Sequence, residues 1–300
     1  MHHKILYTSD NHANEELDQK LIKYALQIKP DSIIIGGDIA PKEFSIGSFV
    51  LNQREFLKKT LPVYFNYLVA ELPGVKTYLM LGNDDSIANL DVLENADPRL
   101  YQNIHGRRLP LVDGFEIVGY SHVPLTHITL KDWERFDLSE IPPQYQEMDD
   151  ARTRTGIRLR GWQHQRTGRG RFRKNAVRKV EFTEESRTRD SIQKDLSGDL
   201  YRQNPKKTIF VSHAPPYGTD LDVAHEGHVG SIAVLSFIQE VQPHISLHGH
   251  IHKTVDRTGN YKQMIGETLS MTAGNSDKKK ELAVLVFDLY NPEGVERIIL

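Results

Sequence analysis

The chain has 300 residues, a formal net charge of −2 and no cysteine. This length allows one large domain or two smaller ones, and a hydrophobic fraction of 38% is enough for a packed core. Without cysteine there are no disulfides, thiolate metal sites or cysteine nucleophiles, so any metal must be bound through nitrogen and oxygen. The N-terminal segment MHHKILYTSD lacks an apolar signal region, and no stretch approaches the roughly 20 apolar residues that span a bilayer. We therefore expect a cytoplasmic protein without a membrane partner.

Hydrophobic patterns predict alternating strands and helices. Runs of β-branched and aliphatic residues are typical of buried strands, and apolar residues at spacings of three and four are typical of helices. In chain order, the predicted elements are a strand from Lys4 to Ser9, a helix between Asn14 and Pro30, a strand from Ser32 to Ile35, a helical region from about Ser48 to Leu72, strands from Thr77 to Leu81, Phe115 to Tyr120 and Thr208 to Ser212, a helix between Gly230 and Pro243, and strands from Ile245 to His248 and Leu282 to Leu289. Asn14 is a candidate helix cap, and Pro62 is expected to break the second helical region. This alternation predicts an α/β fold with a largely parallel or mixed sheet.

The segment from Ala151 to Val180 departs from this pattern. It contains eleven Arg and Lys residues and no Asp or Glu, so the rest of the chain is strongly acidic. We interpret it as part of an Arg-rich insertion at about 140–205 within a single domain spanning 1–300. It could be a solvated loop that pairs with the acidic remainder, a lid over a substrate phosphate, or a contact for nucleic acid in which Trp162 and Phe172 stack on bases. The first interpretation is favoured.

Metal-binding side chains follow five of the predicted strands. They are Asp10 and His12, Asp38, Asn83, His213, and His250 with His252. The carboxyl ends of strands in open α/β sheets converge on one crevice, so these residues can meet although they are distant in the chain. Each taken singly could be an ordinary turn or capping residue, but the joint pattern favours a metal site. Imidazole, carboxylate and amide ligands suit Mn, Fe, Zn, Co or Ni, and they argue against Ca or a structural zinc site.

Local spacing suggests how these ligands pair. In extended chain, residues two apart point to the same side, so Asp10 with His12, and His250 with His252, are each expected to bind one ion together. Glycines directly before Asp38, Asn83 and His250 let the backbone turn sharply. His248 is also two residues from His250, so spacing alone does not exclude it as a ligand. The Gly249 break and the family pattern described below favour His250 with His252 and leave His248 a packing or supporting role.

The blocks DNH, GGD, GND, SH and GHIH, in this order, resemble the signature motifs of the calcineurin-like metallophosphoesterase family. The resemblance implies a four-layer α-β-β-α sandwich with two mixed β-sheets flanked by helices. It also implies two divalent metal ions, with Mn favoured over Fe, Zn, Co or Ni, and hydrolysis of phosphate esters by a hydroxide that bridges them. The implied roles are Asp10, His12 and His252 on the first ion, Asn83, His213 and His250 on the second, and Asp38 as the bridge.

One position departs from the family motif. Asp84, followed by Asp85, stands where the family has a His followed by an acidic residue, so the usual leaving-group acid is absent. Two cations beside Asp84 would hold its pKa down and make it a poor proton donor. We therefore expect weaker activity on esters with basic leaving groups, and we favour phosphodiesters over phosphomonoesters. His225 and His228 precede a helix start, and either could replace the missing acid, with His228 the stronger candidate because it lies nearer the helix start. Both could also be ordinary exposed histidines.

Two other functions stay open from the sequence. A catalytically weak or inactive metal-binding scaffold is compatible with the missing His, although a complete ligand set argues against it. A nuclease rests on the Arg-rich segment alone, so a small phosphate ester is the expected partner and nucleic acid is not favoured.

Overall fold

The computed structural model describes residues 1–42, 48–146, 157–167, 174–225, 227–275 and 280–300. In chain order, the strands of this part are β1 (Lys4–Thr8), β2 (Ser32–Ile35), β3 (Lys76–Leu79), β4 (Gln102–Asn103), β5 (Arg108–Pro110), β6 (Glu116–Tyr120), β7 (Val123–Pro124), β8 (Glu134–Arg135), β9 (Arg160–Thr167), β10 (Lys174–Glu181), β11 (Thr208–Ser212), β12 (Val223–Ala224), β13 (Gly227–His228), β14 (Ile245–His248), β15 (Lys262–Ile265), β16 (Thr268–Thr272), β17 (Ala283–Asp288) and β18 (Asn291–Ile299). The α-helices are α1 (Glu15–Ile28), α2 (Phe49–Glu55), α3 (Leu61–Glu71), α4 (Leu90–Glu94), α5 (Glu184–Arg189), α6 (Ile192–Leu196), α7 (Asp199–Arg202), α8 (Ile232–Val241) and α9 (Thr254–Thr258). A π-helical turn spans Phe56–Thr60, and short 3-10 turns span Ile87–Asn89, Pro143–Tyr145 and Pro205–Lys207.

Two six-stranded mixed sheets form the centre of the fold. The first has the order β18-β17-β1-β2-β3-β4, with β1 to β4 parallel and β17 antiparallel to β1. The second has the order β15-β16-β14-β11-β6-β5, with four central parallel strands and antiparallel strands at both edges. All seven predicted strands lie in these sheets, within about two residues of the predicted bounds.

Alternating side chains divide the core into layers. Leu6 packs with α1 and α3 on the outer face of the first sheet, whereas Tyr7 packs between the two sheets. In the second sheet, Val211 joins the cluster between the sheets, and Phe210 faces outwards to contact Phe237 of α8. The predicted four-layer α-β-β-α sandwich is confirmed.

Two sequence features predicted how the helices begin and end, Asn14 before α1 and Pro62 in the second helical region. The Asn14 side chain accepts hydrogen bonds from the backbone N–H groups of Glu16 and Leu17, as expected for a helix cap. The helical region is not broken at Pro62: the backbone stays helical from Phe49 to Glu71, with a π-helical turn at Phe56–Thr60 and Pro62 in the first turn of α3. Proline is tolerated there because the N–H groups of a first helical turn have no partner within the helix.

The described part of the Arg-rich segment forms a two-stranded antiparallel sheet from β9 and β10. Backbone hydrogen bonds from Lys131 to Trp162 and from Trp162 to Thr129 attach β9 to the rest of the protein. Phe172, one of the two aromatic residues considered for base stacking, lies outside the described residues. No helix in the described ranges is both long and apolar enough to cross a membrane.

Candidate metal centre

The loops that follow five parallel strands bring the predicted ligands together. The first sheet contributes the loops after β1, β2 and β3, and the second contributes those after β11 and β14. Because these strands are neighbours within each sheet, their carboxyl ends meet at one edge of the sandwich. The acidic and amide ligands therefore come from one sheet, and three of the four imidazoles come from the other.

The first group of ligand atoms belongs to Asp10, His12, Asp38 and His252. One nitrogen or oxygen from each lies within 4.8 Å of the others. His12 Nε2 is 3.4 Å from His252 Nε2 and 3.8 Å from Asp38 Oδ2. His252 Nε2 is 3.6 Å from Asp10 Oδ1. These are distances at which four ligands can surround one small ion.

The second group adjoins the first through Asp38. Asn83 Oδ1 lies 3.0 Å from His213 Nε2 and 2.6 Å from His250 Nδ1. Asp38 Oδ2 is 3.4 Å from His213 Nε2, and the same oxygen faces His12 in the first group. One buried carboxylate oxygen therefore lies between two sets of donor atoms.

The expected pairing is correct for Asp10 with His12, which share the first group, and wrong for His250 with His252. The extended-chain argument behind it is wrong. Asp10 and His12 have φ angles of 61° and 49°, so the backbone turns through the left-handed region between β1 and α1. His250 has φ 67°, which directs its ring to Asn83, while His252 belongs to the first group. Tight loops, rather than a period of two, therefore determine where these ligands point.

Backbone strain is concentrated at this centre. Asp10, His12, Asp38 and His250 all have positive φ, a conformation that costs of order 1 kcal/mol or more for a residue with a side chain. Hydrogen bonds between the loops after β1 and β2 maintain this conformation. Asp10 N donates to Gly37 O at 3.0 Å, and His12 N donates to Asp38 O at 2.9 Å. Strain held in this way is typical of functional sites.

Two glycines permit loops that carry ligands to approach one another closely. A Cβ on Gly82 would lie 2.3 Å from Asp38 Oδ1 and 2.7 Å from His213 Cε1. A Cβ on Gly249 would lie 2.7 Å from Asp10 Oδ2. The expected role of glycines beside the ligands is therefore supported by a specific contact at each position.

Charges and hydrogen bonds suit divalent cations. His213 Nδ1 donates to Gly36 O at 2.8 Å, which leaves Nε2 facing the oxygens of Asn83 and Asp38. Three facing acceptors repel one another unless a cation lies among them. Burial disfavours the charged imidazole, yet Asp38 raises the pKa of His213 to about 10, so a proton provides that cation in the metal-free protein. A divalent ion would displace this proton, and the donor set fits such an ion.

The carboxylates of Asp38 and Asp10 are also suited to binding a cation. Burial alone would raise the pKa of Asp38, but the neighbouring His213 and His12 imidazoles hold it well below its usual range. Burial is likewise outweighed at Asp10, where His252 and His213 lower the pKa. Both side chains are therefore ionised at neutral pH, as metal ligands must be.

The family model for calcineurin-like phosphoesterases matches residues 3–254. The chain belongs to the calcineurin-like phosphoesterase family. Among solved structures it is similar to TT1561 of Thermus thermophilus, at 16% identity over 99% of both chains with a TM-score of 0.55. It is also similar to a dimetal phosphatase from Danio rerio, at 13% identity over 99% of this chain and 98% of that chain with a TM-score of 0.47. Identities this low show the fold alone, and no curated protein matches the chain.

The departure from the family motif at Asp84 has a structural counterpart. The Asp84 backbone N–H donates to Asp38 Oδ1 at 2.9 Å, so this residue adjoins the centre. Its carboxylate accepts from Asn83 Nδ2 at 3.1 Å and forms an ion pair with Lys42 at 2.6 Å. Burial and the Asp38 charge raise the pKa of Asp84, and Lys42 acts in the opposite direction. Lys42 was missed from the sequence, where a single lysine four residues after a ligand carries no signal.

Asp85 is a second residue whose role the sequence did not reveal. This carboxylate is fully buried and accepts backbone hydrogen bonds from Ile39, Ala40 and Gly82 at 2.8–3.1 Å. It thereby ties the loop after β2 to the loop after β3. Asp85 thus supports the backbone that carries Asp38 and Asn83.

The other histidines considered from the sequence have different surroundings. His228 Nδ1 lies 2.7 Å from Asp222 Oδ1, and its ring contacts Tyr217. These two contacts involve none of the seven predicted ligands, so the candidate role of His228 as an acid gains no geometric support. His248 is buried with Nδ1 near the carbonyl oxygens of Ser212 and Ala214, as a packing residue would be.

Proposed function

We propose that this protein is a binuclear metal-dependent phosphoesterase. Asp10, His12 and His252 would hold the first ion, Asn83, His213 and His250 the second, and Asp38 would bridge both. The observation that carries this proposal is the position of Asp38 Oδ2, which faces His12 Nε2 at 3.8 Å and His213 Nε2 at 3.4 Å. A carboxylate shared by two adjoining donor groups is the arrangement that a two-ion site requires.

When bound, two such ions would lower the pKa of a bound water and neutralise charge on phosphoryl oxygens, so that no serine or cysteine nucleophile would be needed. The chain itself orients the ligands. Gly36 O fixes the ring of His213, and Ser9 Oγ donates to Asp10 Oδ2 at 2.5 Å. Mixed imidazole, carboxylate and amide donors without sulfur suit Mn, Fe, Zn, Co and Ni, and Mn is the metal that we propose among them.

The substrate we propose is a small phosphate ester, with a diester favoured over a monoester. The reason is Asp84, which replaces the His that protonates leaving groups in relatives. An ester whose leaving group needs little protonation is then the better substrate.

The test is to purify the protein, measure its bound metals, and assay bis-p-nitrophenyl phosphate with added Mn. We expect about two ions per chain and Mn-dependent turnover. Full occupancy without turnover on any phosphate ester would instead favour the metal-binding scaffold.

Three described arginines of the insertion at about 140–205 favour the solvated-loop interpretation. Arg160, Arg187 and Arg189 each form an ion pair with a neighbouring acidic residue, at 2.6–2.9 Å from Glu181, Glu184 and Asp190. Of these, Arg160 belongs to the stretch from Ala151 to Val180, so one of the charges considered for nucleic acid is paired within the insertion. Competition by nonspecific DNA or RNA in the phosphoesterase assay at several salt concentrations tests the solvated-loop interpretation, because binding to a polyanion weakens steeply with salt.

A further inference from the structure

The Lys42–Asp84 ion pair lies where the family has its proton-donating His. Lys42 Nζ is 2.6 Å from Asp84 Oδ2, and the Lys42 side chain is 32% exposed while that of Asp84 is 10% exposed. Asp84 is one residue from Asn83 and its N–H binds Asp38. The pair therefore places a partly accessible ammonium group beside the residue whose backbone N–H contacts the predicted bridging ligand.

Buried polar contacts hold both partners in position. Gln53 is completely buried in α2, and its side-chain amide donates to the carbonyl oxygens of Pro41 and Asp84 at 3.1 and 2.9 Å. Gln53 Oε1 accepts from Ser86 N at 2.7 Å. The residue before Lys42 is thus tied directly to the loop that carries Asp84.

The Lys42–Asp84 pair also adjoins the second ligand group. Asp84 Oδ1 accepts from Asn83 Nδ2 at 3.1 Å, so the carboxylate that pairs with Lys42 contacts a predicted ligand directly. Lys42 is therefore linked through Asp84 to both Asn83 and Asp38. A substrate phosphate held between the two ligand groups would have this ammonium within electrostatic reach.

We propose that Lys42 contacts the leaving-group oxygen of the bound phosphate ester and stabilises its negative charge, with Asp84 as the residue that positions it. This inference rests on the proposed phosphoesterase function. In the reaction, a water oxygen forms a bond to phosphorus, the bond from phosphorus to the leaving oxygen breaks, and the electron pair stays on that oxygen. The water releases a proton to solvent, and the departed oxygen takes one up from solvent. Lys42 keeps its own protons throughout and acts as a preorganised charge.

A charged side chain that stabilises the leaving oxygen changes how the rate depends on the leaving group, whereas a residue that only supports the fold does not. Charge on the leaving oxygen develops most when the leaving group is a poor one, so the ammonium matters most for unactivated esters. Activated esters such as dinitrophenyl diesters need little stabilisation of this charge. Loss of Lys42 should therefore change the dependence of rate on the leaving group, beyond any uniform change in activity.

The experiment measures kcat/KM of the full chain, saturated with Mn, on methyl aryl phosphates from dinitrophenyl to unsubstituted phenyl. For Lys42→Met we expect a loss of about 100-fold on the phenyl ester, the scale of one preorganised donor, and little change on the dinitrophenyl ester. Lys42→Arg should restore most of the loss. Asp84→Asn should give the same steeper dependence in weaker form, with metal content unchanged.

Lys59→Met is the matched control, because Lys59 forms an exposed ion pair of the same 2.6 Å length with Glu55 on the π-helical turn. It should leave the leaving-group dependence as in the wild type. Equal losses on all esters, or no loss, in a Lys42→Met protein with normal metal content would overturn the inference while leaving the phosphoesterase proposal intact. A wild-type protein that turns over none of these esters would overturn both.

Discussion

Asp38 lies between the two ligand groups. It is buried, its backbone has positive φ, and its two oxygens face different partners: Oδ2 faces the imidazoles, and Oδ1 accepts from Asp84 N. Among the predicted ligands, it is the one whose carboxylate oxygen faces an imidazole of each group. A loss of charge at this one position should therefore affect both of the proposed ions.

Asp38→Asn is expected to reduce bound metal by at least one ion per chain and phosphoesterase activity by about 100-fold or more, because a neutral amide bridges two cations poorly. Metal analysis and the diester assay measure this. Asp18→Asn is the matched control, since Asp18 is also buried and contacts Asn11, and burial raises its pKa to about 7. If both variants kept full metal content, the bridging role of Asp38 would be excluded.

A second residue-scale prediction concerns acid stability. His105 packs against Trp133 and His122, and burial lowers its pKa to about 4, below the value of about 6.5 expected in the unfolded chain. The unfolded state therefore binds a proton that the folded state does not, and stability decreases as the pH falls below about 6.5. At pH 5 this one group should cost about 2 kcal/mol relative to neutral pH.

Urea unfolding of the wild type and His105→Asn between pH 7 and pH 4.5 measures this effect. The Asn side chain can accept the hydrogen bond that Ser121 N gives to His105 Nδ1 at 3.1 Å, and it does not titrate. We expect a shallower decline of the unfolding free energy with falling pH in the variant. Parallel declines in the two proteins would contradict the assignment.

At the scale of elements, the loops after β2 and β3 act as one unit. Asp85 accepts from backbone groups of both loops, and Gly82 lies against Asp38 with no room for a side chain. The two strands are parallel neighbours in the first sheet, so their loops leave the sheet side by side. Ligand geometry in one loop therefore depends on the backbone of the other.

Gly82→Ala should disturb this unit, because the new Cβ would lie 2.5 Å from Asp38 N, a backbone atom that cannot move without its loop. We expect a loss of metal binding and a lower unfolding free energy, of order 1–3 kcal/mol. Gly74→Ala is the control, since its Cβ would have no neighbour within 4 Å. Calorimetry and metal analysis compare them, and equal metal affinity in both variants would contradict this view of the loops.

For the whole molecule, the candidate metal centre contains residues from both sheets. Asp10, Asp38 and Asn83 come from the first sheet, while His213 and His250 come from the second. Tyr7 OH also donates to His248 O across the sheets at 2.8 Å. Ions held between these ligands would bind the folded state in preference to the unfolded chain, where the ligands are dispersed.

Removal of metal with EDTA should therefore lower Tm by about 5–10 °C, and addition of Mn should restore it. Differential scanning calorimetry at constant pH and protein concentration measures the shift. Asp38→Asn should show a much smaller response to either treatment. An identical Tm with and without EDTA in the metal-loaded wild type would count against ions between the sheets.

Much of the fold could be predicted because its signals are local. The run from Ser32 to Ile35 is aliphatic and fully buried, so its hydrophobicity alone indicates a central strand. Asn14 caps α1 through contacts two and three residues away. Asp38 and His213 follow such strands closely, which is why the site could be inferred from strand ends together with the family motifs.

The sequence by itself determined the order of strands and helices, the chemical types of the ligands and the family motifs, because these depend on neighbouring residues. Only the tertiary structure decided which ligands face one another, how positive φ angles separate His250 from His252, and that Lys42 pairs with Asp84. These contacts arise where two sheets pack and loops from different strands meet. Their geometry depends on residues far apart in the chain, about which local patterns carry no information.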